Sequence, residues 1–218
     1  MLHLPELGSG PIQLDEGYTI VAARAGLFAP FRFGPCDSNP PASIMPYALW
    51  ISAFGSSRFA VEIFSVIFTL VSLPLFYLLG RELYSKEVAG RVVLLAAISK
   101  LYLMFSQYVR IYAFAVFCTL LSAGLFLRYA RHHSKTSAAL FIIFAVVTVN
   151  LHYYAALAIF SMLFGFLLGK HRQAAFSALV LLGILFLPTL VWQAQIIRNF
   201  HDHTWIEPLD ASGFASIW

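Results

Sequence analysis

Asp15 and Glu16 form an acidic pair in the stretch Leu14-Asp15-Glu16-Gly17-Tyr18-Thr19, just ahead of a short apolar segment. A carboxylate positioned beside a weak nucleophile can remove its proton, an effect typically worth about 10²–10⁴-fold in rate. Acids in the first turn of a helix are also favoured by about 0.3–1 kcal/mol, because they face the positive end of the helix dipole. The sequence admits both roles for the pair, and both can hold together. Two isolated cations stand among apolar residues, Lys100 after Ser99 and Arg110 at the end of Ser106-Gln107-Tyr108-Val109-Arg110. Either could face a ligand, or snorkel to lipid headgroups with its stem in the apolar phase. His152 beside Tyr153 is either a ligand contact or a polar residue satisfied within a turn. Asp37, in Cys36-Asp37-Ser38-Asn39-Pro40-Pro41, is either a second acidic contact or an Asx-turn residue. His201-Asp202-His203 stands alone in a loop with no ligand placed beside it from elsewhere in the chain, so no metal is expected.

Composition says where these groups must work. The chain is 60% hydrophobic and 11% charged, against about 25% charged in ordinary soluble domains. That places it among membrane proteins. The net charge of +4 is spread over short loops between apolar runs, a membrane-topology pattern that excludes nucleic acid as a partner. Cys36 and Cys118 are too few and too far apart for a metal knuckle or a plausible disulfide, and Cys118, inside an apolar run, reads as packing. Residues Met1 to Gly10 have neither a basic region nor an apolar core of the secretory type.

A membrane-crossing helix needs about 20 apolar residues. Charge-free stretches bounded by Arg or Lys place crossings at about 62–80, 88–104, 108–127, 137–151, 153–168 and 174–194. The fourth and fifth come from one run, Thr136 to Gly169, which at roughly 50 Å is too long to cross once. Its polar break, Asn150-Leu151-His152-Tyr153-Tyr154, predicts a hairpin. Arg81, Lys86, Arg91, Arg128, Arg131, Lys135, Lys170 and Arg172 then share one side, which the positive-inside bias makes cytoplasmic. Residues 1–60, the Lys100–Arg110 turn, the Asn150–Tyr154 turn and the tail after 195 share the other. Every acid except Glu82 and Glu87 lies on that outer side. An outer N-terminal region with nothing to export it predicts at least one further span before Leu14, or a misplaced start. The tail from Trp205 predicts further helices after it.

The expected fold class is all-α, a polytopic transmembrane bundle of about six spans with two short interfacial helices in a long outer N-terminal loop. The expected divisions are 1–60 for that loop, 61–197 for the bundle and 198–218 for the start of a further outer loop. Gly17 to Ala29 is apolar but too short and too charged at Arg24 to span, so it is read as lying along the interface. Ser43 to Phe54, with Tyr47 and Trp50, is the second such helix. Ser99-Lys100 marks a change of direction, Arg58 anchors the first span or pairs with Glu62, and Pro74 and Pro188 fall inside spans.

In order along the chain stand Asp15-Glu16, Asp37-Ser38-Asn39-Pro40-Pro41, an amphipathic helix ending in Phe54-Gly55, Arg58, Ser106-Gln107-x-x-Arg110-x-Tyr112 and His152-Tyr153. This order resembles the GT-C superfamily of integral-membrane glycosyltransferases. The nearest subset is the bacterial relatives of dolichyl-phosphate-mannose protein mannosyltransferases, with the lipid A aminoarabinose and lipopolysaccharide-core galacturonosyltransferases. The resemblance runs from about Leu14 to Pro208. Departures are Asn39 where His is common, Lys100 where Pro is common after Ser, and Tyr108 where Glu is common after Ser-Gln.

The resemblance implies transfer of a sugar from a polyprenyl-phosphate donor to a hydroxyl of a lipid, glycan or protein acceptor outside the cytoplasm, at the inner (plasma) membrane, with inversion and without a cofactor. It implies Asp15 as general base and Glu16 as a residue orienting the acceptor or a cation. Arg110 first, then Lys100, would hold the leaving phosphate, since positive charge in a half-dry site stabilises it and a guanidinium grips it in two places. His152, Tyr112 and Asp37 would complete the donor site. A transporter is the competing class, but transporters carry ionisable groups near mid-membrane on broken helices, and these spans hold almost none. An inactive lipid- or partner-binding remnant would share every motif and differ only in turnover.

Overall fold

The structure, a computed structural model, describes residues 7–8, 11–31, 39–169 and 171–199, with side chains as far as 195. Asp37, Cys36, Lys170 and the His201–His203 and Trp205–Pro208 stretches lie outside the described residues. Among the described residues nine α-helices follow one another: α1 (Leu14–Arg24), α2 (Met45–Phe54), α3 (Arg58–Leu83), α4 (Lys86–Ile98), α5 (Lys100–Gln107), α6 (Tyr112–His132), α7 (Lys135–Leu151), α8 (Tyr153–Leu167) and α9 (Arg172–Asn199). Single 3₁₀ turns occupy Ala29–Phe31 and Pro41–Ser43. No strand occurs among the described residues, so the all-α expectation holds.

Helix starts follow from polar side chains that accept from orphan backbone donors. The Ser57 hydroxyl accepts from Ala60 N, Ser85 from Val88 N and Ser134 from Ser137 N, at 3.2–3.3 Å. At His152 the chain is extended, and its Nδ1 accepts from Tyr154 N at 3.2 Å, ending α7 and starting α8. The hairpin expected at Asn150–Tyr154 is therefore present, with one residue as its hinge. Ser99, also extended, separates α4 from α5, whose axes differ by 58°. The interfacial segment expected over Gly17 to Ala29 is helical from Leu14 to Arg24, with a turn beyond it.

Helices α3, α6 and α9 (to Gln195) are long and apolar enough to cross a membrane, and α4 with α5 would make a fourth crossing if the bent pair is one span. Helices α7 and α8 are apolar but shorter, at 17 and 15 residues. Six crossings are not confirmed by these lengths. Pro74 and Pro188 both sit inside continuous helices.

Clusters of buried apolar side chains hold the bundle. Phe126, Phe141, Ala145, Ile159, Leu163 and Leu182 join α6, α7, α8 and α9. Ala22, Ala23, Tyr47, Val61, Phe64 and Val109 seat α1 and α2 on α3 and on the turn before α6. Cys118 is fully buried in a further cluster with Ile111 and Leu151, in line with the packing expectation. The antiparallel run of helices sorts their ends into two groups. One end gathers α1, Arg110, His152 and the Tyr153–Gln193 and Phe31–Trp192 contacts. The other gathers Arg81, Arg128 and the Glu82–Arg131 ion pair. Large apolar side chains such as Leu70, Leu78, Ile184 and Val191 stay exposed on the flanks, as on helices whose outer solvent is lipid.

Candidate active site

The acidic pair lies in the first turn of α1, and its two members are treated differently by the fold. Glu16 is only 4% exposed. Its Oε2 accepts from Gln13 N at 2.9 Å, closing the start of α1, and its Oε1 accepts from Val109 N at 2.9 Å. The second bond spans 93 residues and ties α1 to the turn before α6. Asp15 lies close enough for its charge to act on the Tyr108 hydroxyl. It is exposed, and its carboxylate takes no hydrogen bond from a described residue.

Arg110 sits on that turn and is 6% exposed. Its guanidinium donates to the Thr19 hydroxyl at 3.3 Å and to the Asp15 carbonyl at 3.4 Å, and Thr19 in turn donates to the same carbonyl at 3.0 Å. Arg110 is thus held against α1 rather than standing free in solvent. Below it the fully buried Tyr47 and Ser65 hydroxyls lie 2.8 Å apart. Tyr47 reaches the Arg110 carbonyl at 3.3 Å and Ser65 the Tyr108 carbonyl at 2.8 Å. The turn is thus fixed from both sides. Burial pushes the Tyr47 hydroxyl well above its ordinary range, with Glu16 adding to the rise. Burial raises Tyr108 too, followed by the charge of Asp15, so both hydroxyls stay protonated donors at neutral pH.

From Tyr108 an aromatic row leads into the bundle. Tyr108 stacks on Tyr112 with centroids 6.1 Å apart, Phe105 lies 4.7 Å from Tyr112, and His152 meets Tyr112 edge-on at 5.3 Å. Behind them a cavity of about 570 Å³ opens between α5, α6 and α8. Tyr112, His152 and Tyr154 line it together with apolar side chains such as Phe105, Val116 and Ala158. Because His152 Nδ1 accepts a backbone N–H, the neutral ring carries its proton on Nε2.

The structure therefore brings Asp15, Glu16 and Arg110 together on one contact, and Tyr112 and His152 together on one cavity. Lys100 falls elsewhere. It is exposed at the α4–α5 break, and Tyr102 two residues on is anchored by its hydroxyl to the Thr69 carbonyl, in the middle of α3. Asp37 lies outside the described residues. Arg58 pairs with Glu62, as one sequence expectation had it, and Glu62 also accepts from Gly8 N at 2.6 Å. Among the described residues no cluster of His, Cys, Asp or Glu is large enough to hold a metal ion.

Four contributors escaped the sequence: Thr19, Tyr47, Ser65 and Tyr108. Thr19 carried a signal, since it stands one helical turn after Asp15. Tyr47 resembled any interfacial aromatic and Ser65 any small polar residue in a span. Tyr108 stood out only as a departure.

Apolar helices of crossing length, with acid, guanidinium and phenol groups collected at one end above an apolar cavity, define an integral-membrane protein with a polar site at one face. The model of the dolichyl-phosphate-mannose-protein mannosyltransferase family matches residues 38–192, and the chain belongs to that family of GT-C-type membrane glycosyltransferases. No curated protein and no solved structure matches the chain. The matched stretch contains Arg110, Tyr112 and His152 and begins after Asp15 and Glu16.

Proposed function

We propose that the chain transfers a sugar from a polyprenyl-phosphate donor to a hydroxyl of an extracytoplasmic lipid, glycan or protein acceptor, with Asp15 as the general base. The observation that carries the reading is an exposed Asp15 whose backbone carbonyl, with the Thr19 hydroxyl, receives the buried Arg110 guanidinium, so that acid and cation share one α1–turn contact. A base must be open to the acceptor. A phosphate-binding cation gains from low dielectric. The acceptor O–H gives its proton to Asp15, the oxygen attacks the anomeric carbon opposite the phosphate, and the sugar–phosphate C–O bond breaks with inversion. Polyprenyl phosphate leaves, its charge facing Arg110 and the protonated Tyr108 hydroxyl. The apolar cavity beside Tyr112 and His152 takes the first isoprene units of the carrier. Glu16 acts through the fold, as a positioning residue for the Val109–Arg110 turn. The dense Arg and Lys at the opposite end support an outward orientation of this face at the inner membrane.

Membranes carrying the chain, supplied with a polyprenyl-phosphate sugar, test the reading. Asp15→Asn should lower transfer by about 10²–10⁴-fold, while an exposed isosteric change leaves the thermal midpoint within experimental scatter. Parental transfer by Asp15→Asn would sink the general-base assignment. A second reading draws on the family match starting at residue 38: the chain binds a lipid-linked sugar and does not turn it over. Donor binding without transfer, in parent and variant alike, would favour it.

A further inference from the structure

We propose that the end of the bundle opposite the acidic pair carries a binding groove for an anionic phospholipid, between α3 and α6. The groove has a volume of about 500 Å³. Its walls are leucines of both helices, among them Leu75, Leu79, Leu120 and Leu125, and its floor is open at Gly124. A Cβ built on Gly124 would meet only Leu79 Cδ2, at 3.8 Å. Toward the helix ends the lining turns polar, with Arg81, Arg128, His132 and Ser134. From Leu120 to Arg128 the apolar wall gives way to the cations over about 12 Å of helix, the order in which an acyl chain gives way to its phosphate.

Charge selects the headgroup. Glu82 also lines the groove, but Arg131 binds both its carboxylate and, at 2.9 Å, its carbonyl. That ion pair is neutral. Arg81 and Arg128 take no acidic partner among the described residues, and they leave the rim net positive. Both are exposed, so neither was placed there for packing. Basic pockets between membrane helices, on the side where Lys and Arg collect, take anionic headgroups. A zwitterionic lipid would bring a second cation against the same two arginines.

The purified chain in detergent micelles doped with phosphatidylglycerol or phosphatidylcholine, read by native mass spectrometry, tests this. Phosphatidylglycerol should be retained and phosphatidylcholine lost. Arg81→Gln and Arg128→Gln should each weaken retention by about five-fold. Gly124→Leu, which fills the groove with every charge intact, should abolish it. The glycine-site variant keeps the idea testable if the arginine variants prove unstable. Equal retention of both lipids, or phosphatidylglycerol held by Gly124→Leu as well as by the parent, would overturn the assignment. So would competition by glycerol phosphate alone, which would mean a phosphate site without a lipid. Preferential displacement by polyprenyl phosphate would give the groove to the carrier. Retention of neither lipid would leave it to a protein helix, and the proposal would fall.

Discussion

Two neighbouring carboxylates with opposite exposure are the residue-scale feature that most shapes the site. Glu16 spends one oxygen on Gln13 N and the other on Val109 N. Its loss is therefore a folding event before it is a catalytic one. Glu16→Ala leaves the Val109 N–H without its partner, at a cost of about 1–3 kcal/mol, and frees the turn that carries Arg110. A lowered thermal midpoint in detergent and reduced transfer are expected together. Glu16→Gln keeps a carbonyl acceptor and should recover most of the midpoint. Full stability in Glu16→Ala would show that the Val109 bond matters little. Tyr108 sets a pH effect of the opposite kind. Burial raises its pKa above the ordinary value near 10.0. Below that pH the hydroxyl is protonated in folded and unfolded chains alike, so its contribution is whole. Above it the unfolded chain loses its proton first, and stability falls as pH rises toward the folded value. Tyr108→Phe should soften that alkaline loss in midpoints measured at pH 9 to 11, whereas an unchanged slope would place the titration elsewhere, Tyr47 being the next group to test. The acidic pair was visible in the sequence as a pair. Which member faces outward was not, because that depends on a partner 93 residues away.

At the scale of elements, small residues decide how closely helices approach, since lipid gives helices no hydrophobic reason to pair and packing must do it. Gly80 in α3 faces Ala89 in α4. A Cβ at residue 80 would lie 2.9 Å from Ala89 Cα and 3.2 Å from its Cβ. That contact is with backbone, so no rotamer change relieves it. Gly80→Ala should part α3 from α4 and cost about 1–3 kcal/mol. Gly90, one residue past Ala89, has nothing within 4 Å of its virtual Cβ. Gly90→Ala should be neutral or stabilising by up to about 1 kcal/mol. The pair of midpoints is the measurement, and equal effects would refute the close approach as the cause. Breaks between elements were better foreseen than approaches. The polar pentad at Asn150–Tyr154 and the Ser99-Lys100 step are written locally, because His152 and Ser99 each begin the next helix from an extended backbone. The glycine contact is not written locally, since nothing near Gly80 in sequence names Ala89 as its neighbour. Lys100 shows the same limit: its charge was legible, but its position beside the middle of α3 followed from the Tyr102–Thr69 bond.

For the whole molecule, the sorting of helix ends into an acid-bearing and an arginine-bearing group carries a topological consequence. Moving a cation across the bilayer is costly, and short loops rich in Lys and Arg stay in the cytoplasm. The end holding Arg81, Arg128 and Arg131 should face inward, and the α1 end outward. Two exposed positions report on this without touching the site's polar groups. Leu14 is 90% exposed at the start of α1, and Tyr84 is 74% exposed just after α3. In a Cys36→Ser background, where the remaining Cys118 is buried, Leu14→Cys should react with a membrane-impermeant maleimide on intact spheroplasts. Tyr84→Cys should react only after permeabilisation. The reverse pattern would put Asp15 and Arg110 in the cytoplasm, where nucleotide sugars could serve as donors. The lipid-phosphate mechanism would then lose its reason, while the family membership would stand. The expected pattern joins the two ends of the molecule into one account. Under that pattern the arginine end would lie at the inner leaflet and the α1 end at the outer surface, where the proposed acceptor would meet Asp15.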